Sequence, residues 1–91
     1  MVVATDFRAD VDEILPGVIA DRRHLHENPE LGFQEVKTAA FVTERLKGLG
    51  VEDIRTGINS TGVTGLIRGT ADGPGKDRVV LVRADMDALP I

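Results

Sequence analysis

Residues 78–84 limit what this chain can fold into more than any other stretch. Arg78 is followed by Val79, Val80, Leu81 and Val82, and then by Arg83. An unbroken apolar run between charges, without alternation, is the pattern of a strand covered on both faces. A helix is disfavoured, because the run is short and β-branched residues lose χ1 freedom in helices. Asp85 and Asp87 come directly after it. In an extended chain their two-residue spacing puts both carboxylates on one side. Pro90 then ends regular pairing. Open α/β sheets collect their chemistry just beyond the carboxyl ends of strands. The two acids are therefore the first candidates for a site. By spacing alone they read equally as solvated loop acids or as caps of a following helix.

Upstream, the period changes. A short helix is expected over 8–15, with Asp6 as its N-cap. Pro16 either kinks one helix or separates two, and helical spacing resumes over 16–27. That helix should stop near Glu27, because Asn28 precedes Pro29 and is pushed out of the α region. A turn at 28–32 leads to a helix over 34–49. Its apolar stripe is Val36, Ala39, Ala40, Thr43, Leu46 and Leu49, its polar face carries Glu35 and Lys37, and Gly50 closes it. Strands are expected over 51–56, 63–68 and 78–84. The short, turn-rich connector at 70–77 predicts antiparallel pairing of the last two.

The expected order is thus α/β: two helices, then three strands. A strand apolar on both faces needs cover on both, and two helices cover only one. The expectation is the incomplete opening of a larger α/β domain, with residues 1–91 as its N-terminal part.

Charge and composition close off several classes. The net charge is −4, with no basic stripe, which argues against nucleic acid. No window reaches the roughly 18 apolar residues of a membrane span. Residues 1–6 lack a basic-then-apolar signal, so a cytoplasmic location is expected. There is no Cys, so no disulfide and no thiolate ligand. His24 and His26 are the two histidines. On a helix they stand about 200° apart and cannot share one ion. His24 is read as solvent-facing.

Three stretches carry a family resemblance. They are Arg22-Arg23-His24-Leu25-His26-Glu27-Asn28-Pro29-Glu30-Leu31-Gly32-Phe33-Gln34-Glu35, Thr61-Gly62-Val63-Thr64-Gly65-Leu66-Ile67-Arg68-Gly69 and Arg83-Ala84-Asp85-Met86-Asp87-Ala88-Leu89-Pro90-Ile91. In this order they resemble the amidohydrolase branch of the zinc aminopeptidase-like metallopeptidase superfamily, which holds N-acyl-amino-acid, hippurate and indoleacetyl-amino-acid hydrolases. The resemblance implies the opening part of an aminoacylase/carboxypeptidase-like catalytic domain. It also implies two divalent metals, Zn or Mn, that activate water, a glutamate base, and a small-molecule N-acyl amino acid as substrate.

In the wider superfamily the corresponding strand ends in His-x-Asp. There the His binds metal and the Asp fixes its orientation. Asp87 takes the Asp position, so the resemblance gives it an orienting role. Asp85 stands where the His would be and is the weaker metal candidate. Arg23, His26, Pro29 and Glu30 belong to a recurrent motif read as fixing the turn between the helices. The remaining ligands and the base are expected beyond residue 91. This chain alone is then expected to bind no metal, to be inactive, and to self-associate through its uncovered strand. The alternative is a non-catalytic remnant, or a small interaction module that keeps the opening fold.

Overall fold

The structure is a computed structural model that describes residues 6–89. Pro90, expected to end regular pairing, lies outside the described residues. Four elements follow in order: α1 (Arg8–Glu27), α2 (Val36–Gly48), β1 (Glu52–Ile58) and β2 (Gly62–Leu66).

Pro16 lies inside α1, so one helix runs where two were possible. Asp6 is not the N-cap. Phe7 holds that position, and the Asp6 carboxylate one residue earlier accepts the Arg8 N–H at 3.0 Å. The helix stops at Glu27, as the Asn28-Pro29 pair requires. Asn28 turns back on it, donating its backbone N–H and its side-chain Nδ2 to the His24 carbonyl at 3.2 and 2.8 Å.

At the end of α2, Gly50 has a φ of +78° and donates to the Lys47 carbonyl at 3.1 Å. Val51 donates to the Leu46 carbonyl at 3.0 Å, which swings the chain directly into β1. The covered face of α2 is rotated from the expected stripe. Thr38 is buried and Val42 and Leu46 are half-buried, whereas Val36 and Leu49 are exposed. Glu35, expected on the solvated face, is buried at 8% exposure.

The sheet also differs from expectation. β1 and β2 pair antiparallel, with Glu52 opposite Leu66, Arg55 opposite Thr64 and Ile58 opposite Gly62. Between them, Asn59 and Ser60 take positive φ values of 49° and 87°. A tight local turn of this kind closes a hairpin at a lower entropic cost than the longer 67–77 connector would. The expected third strand is absent among the described residues. Residues 78–84 form no ladder, and Val79, Val80, Leu81 and Val82 are 87%, 84%, 90% and 86% exposed. A run that is apolar on both faces finds no second layer here, so neither face is buried.

The same shortage shows in the interior. Among the described residues no apolar side chain is buried, and the buried ones are Glu35, Thr38 and Thr61. The accessible surface is 8270 Å². A compact chain of 9.8 kDa would expose about 5200 Å². The architecture is α/β, two helices and a two-stranded hairpin, without a closed core.

Candidate functional site

The loop between α1 and α2 gathers the groups that matter. Glu30 lies six residues before α2 begins, yet its carboxylate reaches the helix's first turn. Oε2 accepts the Lys37 N–H at 3.1 Å and Oε1 accepts the Thr38 N–H at 2.6 Å. These amides have no partner within the helix. Negative charge is favoured at this end of the helix dipole. The hydrogen bonds from Thr38, side chain first and then backbone, hold the Glu30 carboxyl below its ordinary value of 4.5. The backbone bond from Lys37 and its positive charge act in the same direction.

Glu35 ties the same region to the hairpin. Thr61 Oγ1 donates to Glu35 Oε2 at 3.4 Å, while Glu35 Oε1 is buried with no partner in the structure. No sequence signal separates Glu35 from the exposed acids of the helix. Glu30 had a weak one: an acid shortly before a helix start.

The C-terminal stretch docks on this loop. Ala88 donates its N–H to the Glu30 carbonyl at 2.9 Å, and Met86 and Ala88 are half-buried. Asp87 Oδ2 lies 3.9 Å from the point where a Cβ on Gly32 would stand. The first and third motifs, more than fifty residues apart in sequence, thus meet at Glu30, Gly32 and Asp87.

Asp85 is engaged differently. Its Oδ1 accepts from Arg83 Nε at 3.2 Å in an exposed ion pair within its own segment. His24 and His26 both sit on α1. The His24 ring is not simply solvent-facing, because it stacks on Phe41 with centroids 4.6 Å apart and planes 27° apart. Arg45 lies over the other part of this contact, 5.6 Å from the Phe41 ring centre, and pairs with Asp21 of α1 at 2.5 Å.

Among the described residues, no three His, Asp or Glu side chains converge as a metal site would require. A cleft of about 630 Å³ lies elsewhere. It is open, has Leu46, Val51 and Leu66 on one side and residues 79–82 on the other, and neither Asp85 nor Asp87 lines it. It marks the space that the missing ladder leaves. No helix of the described residues is long and apolar enough to cross a membrane.

Known proteins place the sequence. It is 49% identical over 81 residues to an N-acyl-L-amino acid amidohydrolase of Geobacillus stearothermophilus, covering 89% of this chain and 20% of that protein. The chain belongs to this amidohydrolase family. A second member, thermostable carboxypeptidase 2 of Saccharolobus solfataricus, is 45% identical over 92 residues, covering 100% of this chain and 22% of that protein. The hippurate hydrolase of Campylobacter jejuni is 44% identical over 70 residues, covering 77% of this chain and 17% of its own length. The chain thus spans about a fifth of the length of these family members. No family model matches it. No solved structure matches it.

Proposed function

We propose that these residues are the opening part of a metal-dependent amidohydrolase domain that cleaves the amide of N-acyl amino acids or similar substrates. In this reading Asp87 orients a metal-binding group supplied from outside residues 1–91, and the metal is Zn or Mn. One observation carries it: the loop of the first motif meets the third motif, through the Ala88 N–H on the Glu30 carbonyl with Asp87 beside Gly32. The names of the relatives supply the reaction class.

The test is made on the longest product of the reading frame. Asp87→Ala should lower metal affinity or turnover of N-acetyl or N-benzoyl amino acids by roughly 10–100-fold with the fold intact. His24→Ala should leave metal affinity in place, its loss being the Phe41 stack. Equal losses of metal from both variants would remove the role given to Asp87.

A second reading has its own support. The exposed run at 79–82 suits a non-catalytic module or remnant that packs against another chain. Metal content after native purification separates the two: bound Zn or Mn favours the enzyme, and a metal-free stable complex favours the module.

A further inference from the structure

We propose that Glu30 is a positioning residue for Asp87, acting through the loop that joins α1 to α2. The inference rests on the role given to Asp87 above for its catalytic meaning, but not for its geometry. Glu30 grips both sides of the contact. Its carboxylate takes the Lys37 and Thr38 amides of α2 at 3.1 and 2.6 Å. Its carbonyl takes the Ala88 amide at 2.9 Å, one residue beyond Asp87.

The two grips depend on each other. A loop carbonyl can hold the 85–88 segment in place only if the loop itself is fixed. Charge-assisted bonds to two amides of the helix fix it. The start of α2 is in turn tied to the hairpin turn by Glu35 and Thr61 at 3.4 Å. Gly32 of the same loop lies beside Asp87, whose Oδ2 is 3.9 Å from the point where a Gly32 Cβ would stand. The route from hairpin to Asp87 therefore runs through α2, Glu30 and Ala88. None of these residues needs to touch substrate or metal.

The Glu30 carboxylate does not touch Ala88 itself, and this separates positioning from simple helix capping. Amide hydrogen exchange is measured on the labelled chain, together with the side-chain carboxyl resonance of Asp87. In Glu30→Ala, the Lys37 and Thr38 amides should exchange roughly tenfold faster. Ala88 should accelerate with them, and the Asp87 resonance should shift. If Lys37 and Thr38 lose protection while Ala88 and Asp87 stay as they were, Glu30 is a helix cap only and the proposal is overturned.

If Glu30→Ala loses protection throughout the chain, Glu30→Gln decides. It keeps a single acceptor oxygen and should loosen one of the two helix amides, with Ala88 following to a smaller degree. An unmoved Ala88 in that variant overturns the proposal equally. The readout contains neither metal nor turnover, so a failed metal role for Asp87 leaves these exchange results standing, and the reverse holds too.

Discussion

Gly62 and Gly65 illustrate how single residues decide the hairpin. A Cβ on Gly62 would stand 2.6 Å from the Ile58 carbonyl oxygen, and one on Gly65 would stand 2.6 Å from Val51 Cγ1. Backbone cannot give way as a side chain can. Gly65→Ala should therefore cost about 1–3 kcal/mol, in the range of overpacked sites, and Gly62→Ala should cost more. Urea unfolding of both variants checks the ranking. Gly17 is the opposite case, inside α1 with nothing within 4 Å of an added Cβ. Gly17→Ala should stabilise α1 by about 0.5–1 kcal/mol, read as higher helicity by circular dichroism. An equal or lower helicity would mean that Gly17 does not limit the stability of α1.

At the scale of elements, the two helices are held in different ways. α2 is anchored at both ends, by Glu30 and Glu35 at its start and by Gly50 and Val51 at its finish. α1 reaches α2 through His24 on Phe41 and Asp21 on Arg45. Its apolar residues Phe7, Val11, Ile14 and Val18 remain exposed. The Glu30 cap makes the start of α2 sensitive to acid, and the sign follows from the lowered carboxyl. The stabilisation is fully present above the ordinary value of 4.5 and is lost as pH falls through the lower, folded value. Protection of the Thr38 amide should therefore persist below pH 4.5 and then collapse, with Lys37 in step. Glu30→Gln should remove that acid transition. A Thr38 amide that loses protection at the same pH in both proteins would contradict the cap.

For the whole molecule the controlling quantity is surface. With 8270 Å² exposed and four apolar residues at 79–82 uncovered, the chain presents an unpaired apolar run of the kind that pairs with another chain. The expected behaviour is self-association, seen as early elution in size-exclusion chromatography. Leu81→Lys should shift the chain towards monomer, because a charge in the run opposes edge pairing. A wild-type chain that runs as a monomer at high concentration would refute this. The same chain, given Zn or Mn, is expected to release no amino acid from N-acyl substrates. Metal-dependent turnover co-eluting with a 91-residue monomer would contradict the placement of the ligands elsewhere.

Local physics was legible from the residues alone. Asn28-Pro29 ends α1 because a residue before proline leaves the α region. Gly50 ends α2 because only glycine takes a positive φ there without strain. The three motifs by themselves resemble those of the amidohydrolase family. What sequence periodicity could not settle was which faces find partners. Residues 78–84 have the composition of a doubly covered strand, but covering is a property of the neighbours, and none of the described residues supplies it. Glu35 has the look of a solvated acid, and only the approach of Thr61 buries it. Glu30 reaches α2 across a loop whose course is set by tertiary contacts, so its cap, and with it the meeting of the first and third motifs, exists only in three dimensions. Propensity acts between adjacent residues and is written along the chain, whereas burial and long-range hydrogen bonds depend on where the chain returns.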